Sequence, residues 1–167
     1  MSGESLLRFA DTLERNAAAE SAPIPGRELH LVTFALDREE FGIPIDQVRE
    51  VIRVGDITRV PQAPSHVRGV INLRGRILPV VEIRTRLGLT AAVITPRSRV
   101  VVVESHARVL GLLVDAVLRV AKVPADTVAP APEEVLSPQA DYIPGVVRWN
   151  SRLIILLELE KALLQHD

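Results

Sequence analysis

The chain contains no cysteine among its 167 residues. Disulfide bonds, thiol nucleophiles and thiolate-bound metals are therefore excluded. Aromatic residues make up only 3% of the sequence and lie far apart, so a platform on which nucleic-acid bases could stack is not expected. Because 47% of the residues are hydrophobic and so few are aromatic, the core must consist chiefly of Val, Ile and Leu.

An excess of charge of one sign is also missing, since 20 Lys and Arg residues are balanced by 21 Asp and Glu residues. This balance disfavours a nucleic-acid-binding protein, which would be strongly basic. The longest apolar runs, such as Leu153 to Leu157, are far shorter than the roughly 20 residues of a membrane-spanning helix. No signal-peptide pattern is visible at the start of the chain. We therefore expect a soluble cytoplasmic protein with no direct membrane insertion.

The first 28 residues differ in character from the rest of the chain. Apolar residues at positions 6, 9, 10 and 13 follow helical spacing and predict a helix over residues 2–20. Pro23, Pro25 and Gly26 then interrupt the pattern. Residues 1–28 are interpreted as a helical extension and linker, which either docks on the body or frays because its apolar stripe is short. Residues 29–167 are interpreted as the main domain.

From residue 29 onward, short runs rich in Val and Ile are separated by turn residues. This pattern predicts an all-β domain built as barrels or as a sandwich. Helical spacing returns only briefly, near residues 83–87 and 159–163. The predicted strands are Leu29 to Leu36, Phe41 to Ile45, Val70 to Leu73, Ile77 to Val81, Val100 to Glu104, Val109 to Val114, Gly145 to Trp149 and Leu153 to Leu157.

An internal repeat underlies this pattern. At an offset of 69 positions, the first copy matches the second at Gly, Asp, Val, Thr and Pro, where backbone geometry is demanding. At an offset of 76, the next segment matches as well, which implies a seven-residue insertion within residues 133–142. Two copies of roughly 65 residues are each too small to bury a large core alone, so we expect two intertwined subdomains that exchange near residues 90–100. The matched pairs include Gly42 with Gly111, Asp46 with Asp115, Val48 with Val117, Thr58 with Thr127, Pro61 with Pro130, Gly69 with Gly145 and Arg76 with Arg152.

No pattern in the sequence indicates catalysis. None of the four histidines, at positions 30, 66, 106 and 166, shows metal-ligand spacing. The segment from Gly69 to Gly75 lacks phosphate-loop spacing and fits a β-hairpin better. A Gly-x-Ser-x-Gly nucleophile motif is absent too. The chain is therefore interpreted as a non-enzyme without metal or cofactor.

Two charged residues stand out against apolar neighbours. Glu50 lies within Val-Arg-Glu-Val-Ile, and Arg74 occupies the tip of an otherwise apolar hairpin. Each could be an ordinary exposed charge. However, the counterpart of Arg74 in the second copy is Asn150, so a long cation is not needed to close the turn. This difference favours a role for Arg74 beyond the turn itself.

These residues also carry a resemblance to a known family. The segment from Phe41 to Leu89 resembles the CheW family of chemotaxis coupling proteins. Its most specific part is the hairpin Gly-Val-Ile-Asn-Leu-Arg-Gly-Arg-Ile-Leu-Pro-Val-Val-Glu beginning at Gly69. The second half agrees through Gly-Leu-Leu-Val-Asp-Ala-Val at Gly111 and Tyr-Ile-Pro-Gly at Tyr142. The resemblance extends over about residues 28–165.

The resemblance implies a fold and a function. The fold would be two SH3-like five-stranded β-barrels packed around a shared core, with short helices. The function would be that of an adaptor, without catalysis or cofactor, linking the cytoplasmic tip of a chemoreceptor to the regulatory domain of the histidine kinase CheA. The receptor's helical hairpin would lie in a groove between the barrels, and the kinase would pair barrel to barrel. The alternative is a stand-alone regulatory CheW-like domain of a non-flagellar chemosensory pathway that binds kinase or receptor only.

The resemblance also assigns candidate partner-binding residues. We expect Glu50 and Arg74 to lie close enough to interact, and at least one of Val48 and Val117 to line the groove. The full set carried over by motif is Val48, Glu50, Gly69, Arg74, Gly75 and Val117.

Overall fold

The structure is a computed structural model, and it describes residues 27–105, 107–130 and 143–164. The helix expected over residues 2–20, the insertion expected within residues 133–142, and the histidines at positions 106 and 166 lie outside these ranges. The described residues form these elements: β1 (Glu28–Leu36), β2 (Glu39–Pro44), β3 (Val48–Arg53), β4 (Val67–Leu73), β5 (Arg76–Glu82), α1 (Ile83–Arg86), β6 (Arg99–Ser105), β7 (Arg108–Val114), β8 (Ala116–Pro124), β9 (Gly145–Trp149), β10 (Arg152–Leu156) and α2 (Leu159–Leu164).

The strands form two five-stranded sheets, which confirms the expected all-β class. Barrel I has the strand order β8-β1-β2-β10-β9, and barrel II has the order β3-β6-β7-β5-β4. In barrel II the segment after β3 reaches the opposite edge strand, because Thr58 bridges Val70 through hydrogen bonds of 2.8 and 2.9 Å. In barrel I, Ala129 bridges Val146 in the same manner. These two bridges connect the edges of each sheet.

The topology confirms the internal repeat. Replacing β1 to β5 by β6 to β10 in order converts the strand order of one barrel into that of the other. The agreement extends to a β-bulge: β3 slips by one residue against β6 between Val48 and Glu50, and β8 slips likewise against β1 between Val117 and Arg119. These residues are 69 positions apart, so the repeat offset predicts the pairing register as well as the strands.

The alignment of the two repeat copies is wrong at Thr58, which was matched with Thr127. Thr58 and Ala129 make equivalent bridges and are 71 positions apart, whereas Val70 and Val146 are 76 positions apart. The structural counterpart of Thr58 is therefore Ala129 and not Thr127. Two of the seven inserted residues thus precede Ala129, and not all of them fall within residues 133–142.

Each barrel combines strands from both copies of the repeat. The chain leaves barrel I after β2 through the 3-10 turn Ile45–Gln47, and returns between β7 and β8 at Asp115. Asp46 and Asp115 thus occupy the same place in the two crossings. The segment near residues 90–100, where the sequence analysis put the exchange, joins β5 and α1 to β6 within barrel II. A contiguous repeat copy is therefore not a barrel.

Three apolar clusters explain the alternating strands. Barrel I encloses one cluster that includes Leu31 and Leu156, and barrel II encloses another that includes Val80 and Leu113. The third and largest lies between the barrels and draws residues from both, among them Phe34 and Val103. Strands such as β6 send successive valines alternately to the barrel interior and to this inter-barrel core. The shared core holds the barrels together.

Candidate functional site

Glu50 and Arg74 are in direct contact, as the sequence analysis expects. The Nη1 and Nη2 atoms of Arg74 donate to the Oε2 and Oε1 atoms of Glu50 at 2.8 and 2.6 Å. The Arg74 side chain is 70% exposed and that of Glu50 is 30% exposed. A two-point pair of this kind fixes the orientation of both groups. We call the end of barrel II that carries Glu50 and the β4–β5 turn the rim of barrel II, and the equivalent end of barrel I its rim. The rim of barrel II therefore presents an oriented guanidinium to solvent.

The turn between β4 and β5 places Arg74 in this orientation. Arg74 and Gly75 have φ values of 52° and 83°, which is the arrangement of a two-residue hairpin turn of type I′. The Gly75 N–H donates to the Asn72 Oδ1 atom at 2.8 Å, which braces the turn. Asn150 and Ser151 repeat the geometry between β9 and β10, with φ values of 49° and 63°. The turn form is therefore shared, while the exposed cation belongs to barrel II.

The ion pair shifts the pKa values of both groups. The hydrogen bond from Arg74 lowers the pKa of the Glu50 carboxyl below its ordinary value, although partial desolvation acts in the opposite direction. The same hydrogen bond and the charge of Glu50 raise the pKa of Arg74. Both shifts favour the charged forms. The pair is therefore ionised at neutral pH.

Gly69 has a backbone role that its position in β4 explains. A Cβ atom built on Gly69 would lie 2.3 Å from the Thr58 carbonyl oxygen and 2.8 Å from the Ile57 Cγ2 atom. Thr58 comes this close because it bridges the neighbouring residue Val70. Any side chain at position 69 would push apart the edges of barrel II. Gly69 is also buried, so it acts through the fold of the rim.

Val48 and Val117 occupy equivalent positions at the edge of the inter-barrel core. Each is half-buried and packs against that core. Val48 lies opposite Val103 on β6, and Val117 lies opposite Phe34 on β1. Both pairs flank the β-bulges described above. We call the edge of the inter-barrel core at Val48 and at Val117 the seam.

The rim of barrel I has different chemistry at the equivalent place. Arg119, the counterpart of Glu50, donates from Nε to the Glu40 Oε2 atom at 3.2 Å. Its guanidinium carbon also lies 5.7 Å from the centroid of the Trp149 ring, within cation–π range. Arg152 Nη1 lies 3.5 Å from the other oxygen of Glu40. The Glu40 side chain is only 8% exposed, so this cluster turns inward where Arg74 points outward.

Sequence reasoning missed a set of exposed apolar residues that the repeat relates in pairs. Val51 and Val120 are 40% and 54% exposed, and Ile77 and Leu153 are 60% and 50% exposed. The offsets of 69 and 76 already relate these positions, so the signal was available. Ile77 lies three residues after Arg74, which extends the rim of barrel II with an apolar side chain.

Metal-binding clusters and membrane-spanning helices were sought among the described residues. Within residues 27–105, 107–130 and 143–164, no group of three or more His, Cys, Asp or Glu side chains is placed to hold a metal ion. No helix in the same ranges is both long and apolar enough to cross a bilayer.

The sequence and fold of this chain are similar to those of known proteins. A family model described as the CheW-like domain matches residues 30–166. The chemotaxis protein CheW of Rhizobium meliloti is 38% identical over 145 residues, covering 87% of this chain and 92% of that protein. CheW of Helicobacter pylori is 30% identical over 151 residues, covering 90% and 91%. The crystal structure of the scaffolding protein TtCheW from Thermoanaerobacter tengcongensis covers 83% of this chain and 94% of its own, with a TM-score of 0.75 and 29% identity.

The interlocked pair of five-stranded barrels is thus the fold of a chemotaxis scaffold. The family match spans both barrels and the core between them. The chain belongs to the CheW family, and its role is that of a chemotaxis adaptor.

Proposed function

We propose that this adaptor links the cytoplasmic tip of a chemoreceptor to the regulatory domain of the histidine kinase CheA through two separate surfaces. The seam at Val48 and Val117 takes the receptor tip. The rim of barrel II, with Glu50, Arg74 and Ile77, takes the kinase domain. The protein works in the cytoplasm by binding alone, without catalysis or cofactor. The observation that carries this proposal is the difference between the two equivalent rims.

The rim of barrel II has the properties of a binding anchor. Arg74 is oriented by two hydrogen bonds yet remains 70% exposed, so little side-chain entropy is lost when a partner engages it. Arginine is enriched among residues that dominate protein interfaces. Ile77 adds 60% exposed apolar surface nearby. In the equivalent rim of barrel I, Arg119 is engaged by Glu40 and Trp149. Arg119 is 30% exposed, whereas Arg74 is 70% exposed, so a partner that contacts an exposed guanidinium at this place would choose barrel II.

The seam has the properties of a site for a helix. An amphipathic helix binds by placing an apolar stripe into a hydrophobic groove. Val48 and Val117 are half-buried at the boundary of the inter-barrel core, so they offer apolar surface without opening the core. The resemblance to the CheW family implies a helical receptor hairpin as the occupant. The two surfaces use different residues, which is what an adaptor needs in order to bind both partners together.

The test is a set of binding measurements with two fragments, the cognate receptor tip and the CheA regulatory domain. We expect Arg74→Ala to weaken kinase binding at least tenfold while receptor binding changes less than twofold. Val117→Lys should do the reverse. Arg152→Ala is the matched control, since it occupies the rim of barrel I and is 52% exposed. Loss of both activities in one variant that retains the wild-type circular dichroism spectrum would refute two separate surfaces.

A further inference from the structure

Arg84 is a charged residue whose guanidinium is almost completely buried. Its side chain, on α1, is 8% exposed. The Nη1 atom lies 2.8 Å from the Asp115 Oδ2 atom and 2.6 Å from the Asp37 Oδ1 atom. The Nε atom donates to the Thr90 carbonyl oxygen at 2.7 Å. One guanidinium therefore contacts three separate parts of the chain.

These parts belong to both barrels. Asp37 lies in the turn between β1 and β2 of barrel I, and Asp115 lies where the chain crosses from β7 of barrel II to β8 of barrel I. The Asp37 N–H donates to Asp115 Oδ2 at 2.7 Å, and the Asp115 N–H donates to the Ala35 carbonyl at 3.1 Å. Arg84 itself follows β5 of barrel II. We call Arg84, Asp37 and Asp115 the clasp, because their contacts connect the two barrels.

The clasp adjoins the seam. Asp115 immediately precedes β8 and lies two residues before Val117, so the clasp adjoins the Val117 part of the seam, whereas Val48 follows the other crossing of the chain. Because a buried guanidinium requires its hydrogen-bond partners in fixed directions, the clasp constrains where β8 starts relative to barrel II. A binding surface works only when such supporting contacts hold it in place.

We propose that Arg84 is a positioning residue that sets the placement of barrel I against barrel II and thereby shapes the seam. Arg84 touches no partner. It acts through Asp115 on Val117. The proposal rests on the proposed function in one respect, namely that the receptor tip occupies the seam. Its structural part, the placement of the barrels, stands independently and can be measured without any partner.

A matched control lies within barrel II. Arg68 on β4 is 30% exposed and lies 3.2 Å from the buried carboxylate of Glu82 on β5. It also donates to the Ala92 carbonyl at 3.1 Å. Its carboxylate partner therefore lies in the same barrel. Removing Arg68 deprives the buried Glu82 carboxylate of its cation, just as removing Arg84 deprives the partly exposed Asp37 and Asp115 carboxylates of theirs, but it cuts no contact between barrels.

The absence of cysteine allows a direct measurement of barrel placement. Cysteines introduced at the exposed positions Arg53 in barrel II and Lys122 in barrel I would carry nitroxide labels. Pulsed electron–electron double resonance then measures the distance between the two labels. We expect a narrow distance distribution in the parent protein and in the Arg68→Met variant. In the Arg84→Met variant, we expect the distribution to widen at least twofold. If Arg84→Met does not fold, Asp37→Asn is the substitute, because the Asp37 side chain is 49% exposed. It weakens one of the two ion pairs of the clasp and should widen the distance distribution less than Arg84→Met would.

Binding of the two fragments to the unlabelled variants completes the test. We expect Arg84→Met, or Asp37→Asn in its place, to weaken receptor-tip binding five- to tenfold while kinase binding changes less than twofold. Arg68→Met should leave the ratio of the two affinities unchanged. An unchanged distance distribution in the clasp variants, or equal widening in Arg68→Met, would overturn the clasp. Widening with unchanged receptor binding would overturn the link between the clasp and the seam, whereas the receptor site itself is tested separately by Val117→Lys.

Discussion

Both terminal nitrogens of Arg74 donate hydrogen bonds to the carboxylate of Glu50, at 2.6 and 2.8 Å, although the two residues are 24 positions apart in the sequence. The contact joins the β4–β5 turn to the edge strand β3, which lie at opposite ends of the strand order in barrel II. Exposed ion pairs contribute little to stability. The value of this one therefore lies in the orientation of Arg74 at the rim and not in the free energy of folding.

Removal of Arg74 should raise the pKa of Glu50. The hydrogen bond from Arg74 is the largest cause of the lowered pKa, so in Arg74→Gln the carboxyl should titrate closer to its ordinary value. A lowered folded-state pKa contributes stability above the ordinary pKa of the carboxyl, and that contribution disappears as the pH falls through the lowered value. Carbon-detected NMR titration of the Glu50 carboxyl gives both midpoints. Identical midpoints in the two proteins would show that the pair does not form in solution.

Gly69→Ala should destabilise the protein strongly. The new Cβ would meet the Thr58 carbonyl oxygen at 2.3 Å, and backbone cannot move aside as a flexible side chain can. We expect a loss of roughly 3 kcal/mol in the free energy of unfolding, measured by urea denaturation. Gly42→Ala is a milder comparison, because its Cβ would first meet a side-chain atom, Ile154 Cγ2, at 3.0 Å. Equal stability of Gly69→Ala and the parent would mean that the Thr58 bridge is not formed.

Substitutions at equivalent positions of the β4–β5 and β9–β10 turns should change the stability of the protein in opposite directions. Ser151 adopts a φ of 63° where its counterpart Gly75 adopts 83°. Because a side chain is disfavoured in this region, Ser151→Gly should stabilise the protein by about 1 kcal/mol, and Gly75→Ser should destabilise it by about the same amount. For a chain of this size each change corresponds to a shift of roughly 2–4 °C in Tm. Shifts of the same sign in both variants would contradict the equivalence of the turns.

Val117→Lys should leave the protein folded and reduce receptor binding. Val117 is half-buried, so the long stem of Lys can cover the apolar seam while its ammonium reaches water. Val103→Lys, at a position 0% exposed in the inter-barrel core, is the comparison, and it should unfold because a buried unpaired charge costs several kcal/mol. Thermal melting with a receptor-tip binding assay separates the cases. A Val117→Lys variant that melts like the parent and binds receptor normally would remove Val117 from the seam.

The sequence predicted eight of the strands but not β3 and β8. These two strands border their sheets, and their outward positions carry Arg49, Arg53 and Lys122. Charges on edge strands hinder pairing with other chains. The alternation that marks a strand is hidden because Glu50 and Arg119 are half-buried while Val51 and Val120 are exposed. The repeat matched the Asp-x-Val motif that stands at the start of both strands, but no strand was predicted from it. The pairing register could be inferred from the offset, whereas the exchange of strands between barrels could not.

The sequence predicted the contact between Glu50 and Arg74, but it did not explain Gly69 and did not reveal Arg84. Glu50 and Arg74 could be paired in advance because two charges among apolar residues and a family motif both pointed to them. The backbone reason for Gly69 required coordinates, since the approach of Thr58 depends on a bridge between distant segments. Arg84 gave no signal, because an arginine in a short helix is usually exposed. Its burial follows from the crossing of the chain at Asp115, which the predicted exchange near residues 90–100 misplaced.

The central claim is that one molecule of this adaptor holds both partners at once through different surfaces. The most direct test is the mass of the complex formed when the full chain is mixed with the receptor-tip fragment and the CheA regulatory domain, measured by size-exclusion chromatography with light scattering. We predict a complex that contains all three components, which loses only the kinase domain in Arg74→Ala and only the receptor fragment in Val117→Lys. Mutually exclusive binding of the two partners, or binding of one of them alone, would contradict the account and favour a stand-alone regulatory domain.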